Sequence, residues 1–157
     1  GVQTCALPIY MKKPMMVGQV GLGIMGGSFA RHLLDAKLGV IGFDPDKRAA
    51  EQLRVNGGYC VASAAEVARQ TSVIITSLPS YKAMEAAFFG KDGIAEGARK
   101  GAVVIEASTM PLAIKQDVHD RCAKRGVTVL DCPISGTGAQ AAAKDISVYA
   151  KIGRAHV

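Results

Sequence analysis

Gly21, Gly23 and Gly26, set in the run Val20-Gly21-Leu22-Gly23-Ile24-Met25-Gly26, limit the folds open to this chain more than any other feature. An apolar stretch from Met15 to Val20 leads into them. Phe29, Ala30, Leu33 and Leu34 follow at helical spacing, and a second apolar run, Leu38 to Phe43, ends at Asp44. Strand, glycine turn, helix, strand and acidic tip, in that order, are the layout of a dinucleotide-binding βαβ unit. Gly21 is expected to turn the backbone sharply off the first strand. Gly23 would let a pyrophosphate approach without a side chain in the way, and Gly26 would let the helix lie close to the sheet. The phosphates would then meet unpaired N–H groups and the positive dipole end of the helix. Asp44 is placed to accept hydrogen bonds from the adenosine ribose hydroxyls. The plain alternative is an ordinary βα turn with no ligand, which the flanking strand and helix patterns disfavour.

Both ends read differently from the middle. Residues 1–10 and 151–157 resemble in-frame translations of sequencing-adaptor DNA, with Lys151 as a hybrid codon at the junction, and both are set aside from fold and site reasoning. An export signal is the competing reading of the first segment, but it lacks a basic leading region and a long apolar core. Met11 is then the expected start, residues 11–150 form one NAD(P)-binding domain, and the reading frame is expected to continue past Ala150.

Lys151 and Arg154 supply two of the six formal positive charges, and the remainder are scattered among acids. With no tryptophan and no aromatic-rich basic stripe, a nucleic-acid partner is disfavoured, whereas a modest positive field suits an anionic cofactor or a carboxylate substrate. No apolar run is long enough to cross a bilayer. Setting Cys5 aside leaves Cys60, Cys122 and Cys132 at unrelated spacings, which argues against a disulfide framework or a metal site and for a reducing cytosol. Cys132 reads as a small buried thiol.

Beyond Asp44 the pattern predicts a helix opened by Pro45-Asp46-Lys47-Arg48 and running towards Val55, closed by Asn56-Gly57-Gly58, then a short strand at Tyr59 to Val61 and a capping box at Ser63 to Glu66. Ser72 to Ser77 reads as a strand buried on both faces, ending at Leu78-Pro79-Ser80. Tyr81 to Phe89 is a helix, and Ala102 to Glu106 a strand running into Ala107-Ser108-Thr109. Pro111 opens a helix expected to bury Leu112, Ile114, Val118 and Cys122. Val127 to Asp131 is a further strand, followed by Cys132-Pro133-Ile134-Ser135-Gly136-Thr137-Gly138. Alternation of this kind implies an α/β fold with a mainly parallel sheet and helices on both faces, and ligands there bind beyond the carboxyl ends of the strands. His32 and His119 carry no partner pattern and read as solvated or capping residues. Met15, Met16, Met25, Met84 and Met110 read as packing.

Taken in order, Gly21 to Gly26, Leu78-Pro79, Ser108-Thr109 with Pro111, and Asp131 to Gly136 resemble the successive motifs of the β-hydroxyacid dehydrogenase family. The resemblance covers nearly all of Met11 to Ala150. It implies a Rossmann-type doubly wound domain, an all-helical C-terminal domain lying beyond this chain, and NAD(P)-dependent interconversion of a small 3-hydroxy acid and its carbonyl form. It implies that Gly21, Leu22, Gly23, Ile24, Met25 and Gly26 line the pyrophosphate, that Leu78 and Pro79 lie along the cofactor, and that Thr109 lies near the nicotinamide ribose. Ser135, Gly136 and Thr137 fall in the part of the loop that meets the substrate carboxylate, where a hydroxyl and exposed N–H groups make a small anion site. The family's proton partner is a lysine beyond that loop. Neither Lys144 nor Lys151 matches its motif, so no catalytic residue is assigned in this chain. A homo-oligomer is expected of the full-length protein.

Two departures stand out. Thr137 replaces a common glycine, so the loop is either reshaped by a β-branched residue at a positive φ or uses the Thr137 hydroxyl to read an extra substrate hydroxyl. Lys144-Asp145 replaces a usual Gly-Thr pair. Asp44 favours NAD over NADP, because a carboxylate repels a 2′-phosphate, while Lys47 and Arg48 keep NADP open. A non-catalytic NAD(P)-binding redox-sensing module is the competing function. A methyltransferase is disfavoured, since Leu78-Pro79 and Asp131 to Gly136 have no role in one.

Overall fold

A computed structural model describes residues 15–150, and the expectations about residues 1–14 and 151–157 lie outside the described residues. The chain alternates as predicted: β1 (Met16–Val20), α1 (Ile24–Asp35), β2 (Gly39–Phe43), α2 (Lys47–Val55), β3 (Tyr59–Cys60), α3 (Ala64–Gln70), β4 (Val73–Thr76), α4 (Tyr81–Phe89), α5 (Ile94–Gly97), β5 (Val103–Glu106), α6 (Leu112–Ala123) and β6 (Thr128–Asp131). Beyond these come β7 (Ile134–Ser135), α7 (Gly138–Ala142) and β8 (Ser147–Val148). Six strands form a sheet in the order β3-β2-β1-β4-β5-β6, every pair parallel, while β7 and β8 make a separate antiparallel pair. The order reverses direction between β1 and β4, which opens a crevice at their carboxyl ends.

The two layers of helices follow from the period of two along each strand. In β2, Val40 packs with Leu22, Ala30 and Leu53 beneath α1 and α2. Its neighbour Ile41 joins Val20, Ile74, Val104 and Val129 beneath α3, α4, α5 and α6, whose Val67, Phe88, Ile94 and Val118 fill the larger core. Strand β4 is less symmetric than predicted: Ile74 and Thr76 are buried, but Val73 and Ile75, on the opposite face, are only half-buried.

Local signals hold with two corrections. Asp46 caps α2 by accepting from the Arg48 N–H, and Ser63 caps α3 by accepting from the Glu66 N–H. Glu66, however, reaches the N–H of Ala62 at 3.0 Å and not that of Ser63, so the reciprocal half of the capping box is displaced by one residue. On α6, Val118 and Cys122 are buried as expected and Ile114 is half-buried, but Leu112 is 59% exposed and Lys115 takes the inward position. The first turn of α6 overhangs the strand ends, and what lies beneath it is charged. Met84 is buried in the core, Met16 and Met110 pack against it, and Met15 is exposed.

Candidate functional site

The glycine turn is built by close approach. Gly21 has φ +85°, and a Cβ there would stand 2.2 Å from the Ser77 carbonyl oxygen, so β1 and β4 meet as only a glycine allows. A Cβ at Gly26 would lie 1.9 Å from the Gly21 carbonyl oxygen, which brings α1 directly onto the turn. Gly23 differs: a Cβ there would meet nothing within 4 Å. No side chain caps α1 and no acid occupies its first turn. The result is an open space in front of a helix N-terminus whose N–H groups have no side-chain partner, the setting a diphosphate fits.

Asp44 closes one side of this space. Its Oδ2 accepts from the Leu22 N–H at 2.7 Å and its Oδ1 from the Asp46 N–H at 2.8 Å, which fixes the carboxylate at the mouth of the turn. From beneath, the fully buried Gln19 donates from Nε2 to the Gly21 carbonyl at 3.0 Å.

The tips of β4 and β5 are joined to each other. Ser108 Oγ accepts from the Leu78 N–H at 2.8 Å, and Glu106 Oε1 accepts from the Ser108 N–H at 2.8 Å. Thr76 Oγ1 donates to the same Glu106 oxygen at 3.5 Å. Lys115 Nζ lies 2.9 Å from Glu106 Oε2 and donates to Asp131 Oδ1. Burial pulls the Lys115 ammonium down, but its hydrogen bonds to Asp131 and Glu106 outweigh this and hold it above the ordinary lysine range. Pro79 and Thr109 are exposed at these tips, as residues facing a ligand would be.

The loop after β6 is an ordered hairpin. Ser135 pairs with Ser147, and the Tyr149 N–H donates to the Pro133 carbonyl at 3.0 Å. Thr137 corrects an expectation. Its backbone is extended, at φ −94° and ψ 168°, so it carries no strain, and the positive φ of +144° falls on Gly136. The Thr137 hydroxyl accepts from the Gln140 N–H, and Gln140 Oε1 accepts from the Thr137 N–H, a capping box that starts α7. Lys144 adopts a positive φ of +63°.

Helix α7, between the two strands of that hairpin, leans on α1. A Cβ at Gly138 would lie 2.2 Å from Ile24 Cγ2. Arg31 Nη2 donates to the Ala142 carbonyl at 2.9 Å, and His32 Nε2 is 2.8 Å from the Ala141 carbonyl and serves as the donor. His32 is thus a capping histidine, although for a helix distant in sequence, and His119 is exposed beside Asp120. Cys132 is buried, as predicted. The glycine turn, Asp44, Leu78 and the Thr137–Gly138 step converge at the carboxyl ends of β1, β2 and β4. Glu106, Lys115, Gln19 and Arg31 are the residues here that sequence reasoning passed over, and Asp131 entered it only as the first residue of a motif, without its partner. The available signals were a carboxylate ending each of two apolar strands and a glutamine inside a third.

A family model described as the NAD binding domain of 6-phosphogluconate dehydrogenase matches residues 16–151. The probable mitochondrial 3-hydroxyisobutyrate dehydrogenase of Dictyostelium discoideum is 36% identical over 120 residues, covering 76% of this chain and 37% of that protein. The L-threonate dehydrogenase of Cupriavidus necator is 32% identical over 132 residues, covering 84% of this chain and 44% of that protein. The structure of Mycobacterium tuberculosis 3-hydroxyisobutyrate dehydrogenase with L-serine superposes with a TM-score of 0.82 at 28% identity, covering 88% of this chain and 46% of that one. The chain therefore spans under half the length of these relatives.

Proposed function

The chain belongs to the β-hydroxyacid dehydrogenase family, as its NAD(P)-binding domain, and on that footing we propose that it forms the cofactor half of an oxidoreductase that interconverts a small 3-hydroxy acid and its carbonyl form by hydride transfer. The observation that carries this reading is the open space at Gly23, set between the uncapped N-terminus of α1 and a carboxylate held on the Leu22 N–H. Gly21 to Gly26 hold the diphosphate through backbone N–H groups. Asp44 takes the adenosine ribose hydroxyls and disfavours a 2′-phosphate, so NAD is preferred over NADP. Leu78, Pro79 and Thr109 lie along the cofactor toward its nicotinamide end, and the bound nicotinamide is what supplies or accepts the hydride.

The named ligands of the relatives, 3-hydroxyisobutyrate, L-threonate and L-serine, share a carboxylate and a hydroxyl at C3. Ser135, Gly136 and Thr137 are assigned to the carboxylate: Ser135 offers an exposed hydroxyl beside the turn at Gly136, while the Thr137 N–H and hydroxyl, engaged with Gln140, fix the shape of that turn. On this reading the proton partner of the substrate oxygen is a lysine of a helical half outside this chain, and the chain by itself binds cofactor without turnover. Titrating the chain with NADH and NADPH by nicotinamide fluorescence tests the reading. NADH binding more tightly is the expected result; the opposite order, or no binding of either, would overturn it.

A further inference from the structure

Glu106 and Asp131 end β5 and β6 and stand opposite each other in the parallel ladder. Like charges directly across a ladder repel, and burial sharpens the cost, since Glu106 is only 2% exposed. Lys115, 7% exposed, comes down from α6 between the two carboxylates and contacts both. A buried ion pair of this kind is weak evidence for stabilisation, because apolar side chains of similar volume often serve as well. What hangs from each carboxylate is more telling. Glu106 orders Ser108 through its N–H, and Ser108 in turn orders Leu78 through its hydroxyl. On the other side the Cys132 N–H donates to the Glu106 carbonyl at 2.9 Å, and from Asp131 the chain runs straight through Pro133 into β7 and Ser135. Loops after three strands thus converge on one ammonium group.

We propose that Lys115 is a positioning residue: by bridging Glu106 and Asp131 it sets the spacing between the cofactor-side tips, Leu78-Pro79 and Ser108-Thr109, and the loop that carries Ser135. The proposal rests on the cofactor and substrate reading above for its purpose. Lys115 lies beneath the tips and acts only through them, so its removal is read first in the loops and then in affinity.

Site-resolved amide hydrogen exchange on the whole chain, with NADH titration alongside, tests this. In Lys115→Met, exchange at Leu78 and Cys132 should quicken at least about tenfold while amides of β1 and β2 stay within about twofold, and the NADH Kd should rise about tenfold. Lys115→Arg, which keeps a bridging cation, should hold both readouts within about threefold of the parent. The double variant Lys115→Met/Glu106→Gln removes the stranded charge, so it should fold like the parent yet still exchange quickly at Leu78 and Cys132. The proposal is overturned if Lys115→Met leaves those two amides unchanged or if Lys115→Arg matches Lys115→Met. It is equally overturned if β1 and β2 lose protection in step with the loops in both Met variants, which would make the role one of global stability. A parent chain that ignores NADH would remove the cofactor reading, while the exchange pattern would still decide whether Lys115 ties the loops.

Discussion

Asp44 Oδ2 accepts a hydrogen bond from the Leu22 N–H at 2.7 Å, so the acidic tip of β2 and the glycine turn after β1 form one rigid corner. Substituting Asp44→Ala removes that tie and, with it, the partner proposed for the ribose. The expected result is NAD binding weakened about 10- to 100-fold, as for loss of a hydrogen bond to a charged group, with NADP affected far less. Calorimetric titration with the two nucleotides measures this directly, and equal losses for both would show that Asp44 does not read the ribose.

Gly23 and Gly26 should fail in opposite ways. At Gly23 the backbone is extended and a methyl group meets open space, so Gly23→Ala should melt with the parent yet lose cofactor affinity at least about tenfold, because the methyl would stand in the space proposed for the diphosphate. At Gly26 the added methyl would collide with the Gly21 carbonyl, and Gly26→Ala should cost about 1–3 kcal/mol of folding stability. Thermal melts paired with NADH titrations separate the two. A destabilised Gly23→Ala would contradict the open space.

Alkaline pH should weaken the fold in two stages. Burial pushes the Cys122 thiol up to about 11 from an ordinary 9.0, so the folded state keeps a proton that the unfolded chain releases. Stability from this source is complete below about pH 9 and falls away as pH rises toward 11, by at most about 3 kcal/mol. Lys115, whose ammonium is also held above its ordinary range, extends the decline above about pH 10.5. Urea unfolding of the parent and of Cys122→Val across this range checks the sign, since the variant should lose distinctly less stability between about pH 9 and 11, what remains there coming from Cys60, whose thiol burial also pushes up.

The grip of α1 on α7 should be local. In Arg31→Ala/His32→Ala the two hydrogen bonds to Ala142 and Ala141 are gone, and trypsin should cut after Lys144 roughly tenfold faster while the melting point shifts little. Unchanged cleavage would mean that the Gly138–Ile24 contact alone holds α7.

How far the sequence foretold this arrangement depends on the range over which each signal acts. Strand and helix alternation, the Ser63 cap and the Gly57 closure at φ +93° were all readable, because each is settled within a few residues. The Asp44 corner was readable because the βαβ layout brings that tip back to the turn. Lys115 was not. Its partners Glu106 and Asp131 become neighbours only once β5 and β6 pair, and a helical pattern favours Leu112 for the inward face without knowing what lies beneath. The β7–β8 hairpin also escaped, since two-residue strands carry no periodicity. Nor does the residue type at 137 reveal that the positive φ of this loop sits one residue earlier, at Gly136.

The strand order also says something about how the molecule assembles. Strand β1 pairs with β2 through a single intervening helix, but its other neighbour, β4, arrives only after α2, β3 and α3 have been laid down. Closing that second, distant pairing carries the larger entropy penalty, so the half containing the glycine turn can form as a nascent unit and wait for its second flank. On a ribosome, where the N-terminal half emerges first, the phosphate corner would be shaped before the hairpin that is to face it has been synthesised.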